Sequence, residues 1–332
     1  MVELGWSALA LPEAYGGLGA GPVECGLVAE ALGAALVAEP FLHSAVMGAA
    51  LVRALPATPS TSAACDAVAR AMGQGARIAI AHMERALADD EAEPLLRAQR
   101  VHGGWRLDGA KTVVFGVAAA ESIVASAATD DGPVLFALRG EAPGLQRRDS
   151  RTLDAQSACE LAFDDFRIAD EARLCEPGDA MPVLAGVRDA GLAALGAESV
   201  GLMDRLLAAT IEHTRTRKQF GQPLASFQAL RHRMVDMFMA LDATRSLVLL
   251  ATLRLAEGDA DAPRALAAMK VKVGQAGRFI GQQAIQLHGG MGMTDDLYIG
   301  HAFKRLMALD ARLGMPDHHL QRMAAMSAAQ AR

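Results

Sequence analysis

Apolar positions change their period twice along these 332 residues. In VECGLVAEALGAALVAEPFLHSAVMGAALVRAL, from Val23 to Leu55, Ala, Leu and Val recur three and four places apart, the spacing that lines one side of a helix. The turn signal AYGGLGAGP precedes it. From about 78 to 175 the period shortens: ARIAIAH, GWRLDGAKTVVF, ESIVASA, GPVLFAL and CELAFDDFRI alternate or are β-branched, and Gly, Asp and Pro separate them. Those are strand patterns. Beyond Pro182 helical periods return over about 182–214, 224–256, 262–287 and 300–330, broken by EGDADAP and HGGMGMTDD. The chain reads as α+β in three parts: a helical segment over 1–78, a small β domain over 79–178 and a helical bundle over 179–332.

Composition narrows what such a chain can be. With 52% hydrophobic residues it can bury a large core without disulfides or metals. Cys25, Cys65, Cys159 and Cys175 are scattered, with no CxxC pair or His at metal spacing, so structural thiols in a reducing cytoplasm are expected and no metal site is. A net charge of -6 argues against a nucleic-acid partner. No uninterrupted apolar run reaches the ~18 to 20 residues of a membrane span, and the N-terminus lacks the order of a signal peptide.

The stretch TRTRKQFGQPLASFQALRHRMVDM, residues 214–237, is where the helical pattern breaks most sharply. Arg215, Arg217, Lys218 and Gln219 gather before Phe220, Gly221 and Pro223, and a new apolar period then begins at Phe227 with Leu230, Met234, Met237 and Phe238. A negatively charged group is expected there.

RKQFGQPLASFQALRHRMVDM, followed by QAIQLHGGMGMTDDLYIGHAFKR, strongly resembles the acyl-CoA dehydrogenases, flavoproteins that oxidise the Cα–Cβ bond of acyl-CoA thioesters. The resemblance covers nearly the whole chain. GWSALALPEAYGGLGAGPVE, AHMERA, LDGAKTVVFG and GHAFKRLMALDARLGMPDHHL are most similar to the small subunit of the pimeloyl-CoA dehydrogenase type, which works beside a larger homologous subunit. It implies that family's fold: an N-terminal helical segment, a middle small β-barrel-like domain and a C-terminal four-helix bundle. It also implies an FAD site. Arg217, with its planar fork of donors, stands where the family engages the cofactor's diphosphate. Phe220 would lie by the adenine half, Gln219 is a further cofactor-binding position, and Gln286 with Gly289 and Gly290 would close the same pocket. Relatives usually carry an extra helical hairpin ahead of GW, so the N-terminal part reads as truncated.

Other positions depart from the family. A Thr-Glu-Pro segment and a Trp-Ile-Thr segment usually cradle the flavin ring, and here they read MER and VVF. Met83 and Phe115 have no hydroxyl to donate, and Val113 replaces the indole wall. The base is missing as well. Abstracting an α-proton from a thioester needs a carboxylate near the substrate Cα, yet its usual position holds Leu313 and the family's alternative position falls at about Gly191. Asp189 and Glu198 share that helix, and Glu198 is the candidate catalytic residue, with a buried carboxylate paired to an Arg as its structural alternative. His288, His301, His318 and His319 read as core or surface histidines.

Three functions stay open at this point. The chain is a subunit that completes the FAD site of a larger homologous partner, or a self-associated enzyme with a displaced base, or a flavin-free helical interaction protein on the same scaffold. In the first two, the substrate is an acyl-CoA thioester.

Overall fold

The computed structural model describes residues 1, 3–56, 58–85, 91–139 and 142–330. Helices α1 (Pro22–Ala34), α2 (Met47–Ala54) and α3 (Ser62–Gly73) come first, with a π-helical turn, Phe41–Val46, leading into α2. Seven strands follow: β1 (Ile78–Ala81), β2 (Arg97–Val101), β3 (Gly104–Phe115), β4 (Ser122–Thr129), β5 (Gly132–Arg139), β6 (Leu145–Arg151) and β7 (Ser157–Ile168). The chain then turns helical again with α4 (Ala180–Thr216), α5 (Gln228–Glu257), α6 (Ala262–His288), α7 (Tyr298–Ala311) and α8 (Pro316–Gln330), and a two-rung hairpin, β8 (Lys218–Gln219) with β9 (Gln222–Pro223), joins α4 to α5.

By packing, the chain forms two compact units. Unit 1 holds Met1–Gly21 and Glu39–Gly191, and is built on a single curled sheet in the order β1-β4-β2-β3-β7-β6, with β5 paired to β4. Its centre is dry: Ile123, Val124, Ala125 and Ala127 of β4 and Leu135 and Phe136 of β5 are fully buried. Each large apolar side chain taken from water there contributes roughly 1.5–3 kcal/mol. The long antiparallel pair β3–β7 slips register between Lys111 and Val114, and this bulge carries Val113 outward with φ 52°. A residue meant for the interior thus faces solvent.

Unit 2 holds Pro22–Ala38 and Leu192–Arg332. Within it α6 packs on α5, α7 and α8, and α1 crosses α4 so closely that a Cβ at Gly201 would stand 2.0 Å from the Glu30 carbonyl oxygen. Only glycine permits that crossing. The expected last helix over 300–330 is two helices: Leu313 (φ 53°) and Gly314 (φ 90°) are left-handed and Pro316 opens α8. Gly past a helix end and Pro at the start of the next one are sufficient cause. Helix α4 contains a stretch long and apolar enough to cross a membrane by length and composition, but 67% of that window is buried inside the protein. Its hydropathy is that of a core helix.

Candidate functional site

The positions where relatives hold a flavin ring lie in unit 1. Just beyond β1, the Met83 carbonyl accepts the Thr112 amide of β3 at 2.8 Å, which anchors the first segment to the second. Val113 is 49% exposed at the bulge, and Phe115 lies flat on His43, with ring centroids 4.4 Å apart and planes 10° from parallel. In place of the threonine hydroxyl that the resemblance implies, this chain has two stacked rings. Behind them Lys111 is buried: its Nζ donates to Glu84 Oε1 (2.5 Å), Ser126 Oγ (3.0 Å) and the His82 carbonyl (3.1 Å). Glu84 also accepts the amides of Leu95 and Leu96 at 3.0 Å. Burial pulls the Lys111 ammonium down to about 8 against the pull of Glu84. So the glutamate of MER is a structural clamp, and no hydroxyl stands beside it at Met83 or Arg85.

On the outer face of β3, β7 and β6 a cavity of about 290 Å³ is lined by Arg85, Thr112, Arg147, Arg148 and Glu160. Arg85 already holds Glu160 at 2.9 Å and Arg147 holds Asp149 at 2.7 Å. Two of its three guanidinium groups are thus engaged within the protein.

Unit 2 carries the other predicted positions. The Arg217 amide closes on the His213 carbonyl at 2.8 Å and the Arg217 carbonyl accepts the Leu224 amide at 2.9 Å, so the residue is pinned at the foot of the β8–β9 hairpin. Its side chain is exposed, as is that of Gln219. Phe220, at the hairpin tip with φ 52°, is 89% exposed and touches Phe227 edge-on at 6.1 Å. At the end of α6, Gln286, Gly289 and Gly290 are exposed, and a Cβ on Gly289 would meet nothing within 4 Å. With φ 62°, Gly289 turns the chain out of the helix and leaves open space over the backbone. The two segments meet through their histidines: His213 and His288 stack at 4.3 Å, 26° from parallel. Burial, then His288 and Arg217, hold the His213 imidazole below its ordinary proton affinity. An exposed guanidinium beside an uncovered glycine turn suits a diphosphate, so the residues here fit the cofactor's nucleotide end.

The carboxylate positions are resolved as follows. Leu313 is left-handed, and its carbonyl accepts a hydrogen bond from His319 Nε2 at 2.7 Å. That fixes His319 as the Nε2–H tautomer, and burial pushes it down to about 4, so it is neutral. Gly191 is in α4; next to it Asp189 holds Arg188 at 3.2 Å, and Arg188 also takes Glu91. Glu198 is buried, and one of its oxygens receives both Nε and Nη2 of Arg305 at 2.6 Å. Sequence reasoning passed over His43 and His213. The signal for His213 was present: it sits one helical turn before Arg217, and His288 directly precedes Gly289.

Residues 1–55 match the family model of the acyl-CoA dehydrogenase N-terminal domain and residues 189–327 that of the acyl-CoA dehydrogenase C-terminal domain. The probable acyl-CoA dehydrogenase FadE25 of Mycobacterium tuberculosis is 28% identical over 300 residues, 88% of this chain and 77% of its own. Among solved structures, a Tcur3481-Tcur3483 steroid ACAD variant is 28% identical with a TM-score of 0.87, over 99% of this chain and 87% of that one. A chain of the ChsE4-ChsE5 complex from Mycobacterium tuberculosis is 25% identical at the same TM-score, over 98% and 86%. Matched by both domain models in chain order, together more than half its length, the chain belongs to the acyl-CoA dehydrogenase family, oxidoreductases that act on the CH–CH bond of acyl-CoA with FAD as cofactor.

Proposed function

We propose that this chain works as the smaller subunit of a heteromeric acyl-CoA dehydrogenase, lending Arg217, Gln219, Phe220, Gln286, Gly289 and Gly290 to the nucleotide end of a larger homologous partner's FAD. One observation carries the reading. The nucleotide-end set is kept together and exposed in unit 2, while the ring-end set in unit 1 has Met83, Val113 and Phe115 in place of hydroxyls and indole. When bound, FAD supplies the electron acceptor for the CH–CH oxidation. This chain's residues supply binding at one end of it, and its own ring positions do not fit the ring.

Further observations support the same reading. Phe220 (89%), Met293 (74%), Phe238 (57%) and Met291 (53%) are exposed in unit 2, more apolar surface at the two turns and on α5 than a free subunit usually leaves uncovered. The similar steroid ACAD structure is that of Tcur3481-Tcur3483, and the other is that of the ChsE4-ChsE5 complex, each named for two proteins. The Glu198–Arg305 pair supports a structural carboxylate, because a base must face the substrate with a lone pair while both donors of Arg305 converge on Oε1. Scattered thiols, with Cys25, Cys159 and Cys175 buried and Cys65 half-buried, suit work in the cytoplasm.

The test is expression alone and with a larger homologue. Alone, the chain should be flavin-poor by its absorbance and inactive on acyl-CoA thioesters; the pair should show both flavin and turnover. A flavin-loaded chain that oxidises acyl-CoA on its own would overturn the proposal.

A further inference from the structure

His213 and His288 each do two things at once. The His213 carbonyl receives the Arg217 amide, so the residue whose ring stacks on α6 also sets where the Arg217 turn begins. His288 donates Nδ1–H to the Ala284 carbonyl at 2.8 Å, which locks its ring against α6 one residue before Gly289. A neutral imidazole so bound keeps a lone pair on Nε2. Facing His213 are His288 from α6 and Arg217 from the turn after its own helix, and both disfavour a proton on it, as burial does. His213 is therefore held toward its uncharged form beside a guanidinium.

We propose that the His213–His288 stack spaces the Arg217 turn from the Gly289–Gly290 turn and couples their hold on a diphosphate to the uptake of a proton. The inference rests on the reading that these turns grip the diphosphate end of FAD. Two negative charges arriving beside Arg217 oppose what disfavours a proton on His213, so its imidazolium is more stable with ligand than without. By linkage, affinity must rise as pH falls through the ordinary histidine range. His213 and His288 are positioning residues here: they act through the two turns.

The probe is ADP-ribose, whose diphosphate is a diester and keeps its charge across that range, titrated calorimetrically into the full chain in its native assembly after its flavin has been removed. We expect binding about three- to ten-fold tighter near pH 6 than near pH 8, with proton uptake visible as a dependence of the heat on the buffer's ionisation enthalpy. His213→Phe keeps a flat ring on His288 without a titrating nitrogen and should flatten that dependence. His213→Ala removes the spacer and should weaken binding at both pH values, with circular dichroism checking that the variant is folded. If Arg217→Ala weakens binding while His213→Phe keeps the wild-type pH profile, the inference fails and the reading of the turns stands. If the wild-type chain ignores ADP-ribose, or Arg217→Ala changes nothing, both fall.

Discussion

Among the described residues, a histidine ring stack stands in each of the two units, with opposite consequences. In unit 1 His43 lies on Phe115 at 4.4 Å, with His43 buried, at a position where the family resemblance implies a hydroxyl. In unit 2 His213 lies on His288 at 4.3 Å, and around it Arg217, Gln219, Phe220 and Gly289 remain exposed. On the proposed reading, the first stack fills the ring position and the second leaves the nucleotide end open. The contact is the same in kind; what differs is whether the neighbouring groups can still reach a ligand. Departures from the family sort by region in the same way, and that sorting is what a chain lending one end of a shared site would show.

The comparison can be broken at several points, and the largest expected effect is at the ring end. Lys111→Met should cost about 3–5 kcal/mol in urea unfolding, since it strands Glu84 in a buried place. If stability hardly changes, the clamp assigned to Glu84 is wrong. At the nucleotide end Arg217→Ala removes a charge-assisted contact of about 1.5–3 kcal/mol, so flavin retention by the assembled enzyme should fall roughly ten- to hundred-fold on dialysis, with little change in melting temperature. Unchanged flavin content would put the diphosphate elsewhere.

Glu198→Gln separates a structural carboxylate from a catalytic one. The amide still accepts a bond from Arg305 but leaves its charge uncompensated, so a loss of about 1–3 kcal/mol in stability is expected while turnover of the assembled enzyme persists. Abolished turnover in a stable, flavin-loaded protein would return Glu198 to the role of base. The smallest effect concerns His319. Its folded value of about 4 lies below the ordinary 6.5, so the unfolded chain binds more protons between these values and stability should decline as pH falls from about 6.5 toward 4. Above 6.5 the contribution is fully present. His319→Asn should shallow the acid limb of a plot of melting temperature against pH.

Much of the fold was legible because its signals are local. The strand runs of 78–168 and the long helices after 180 follow from residue period and from Gly and Pro punctuation within a few positions. The break at Leu313–Gly314 was equally local, but the alanine-rich stretch around it hid the helix end. The residues proposed for the cofactor's nucleotide end were legible as motifs, since RKQFG and QLHGG each lie within one turn of chain. Helix α4 was harder. Its residues from Leu192 to Met203 are all buried, so no polar side marks which way Glu198 points.

By itself, then, the amino-acid sequence determined the order and type of most elements, the RKQFG and QLHGG motifs and the absence of hydroxyls at Met83 and Phe115, because each depends on residues close together in the chain. Only the tertiary structure decided that Glu198 meets Arg305, 107 positions away, that Lys111 and Glu84 form a buried clamp, and that His213 and His288 stack. Such pairs depend on helix rotation and strand register. In a chain whose helices are lined with alanine and glycine on several sides, many rotations bury similar area, and it is close packing, as at Gly201 against Glu30, that selects one.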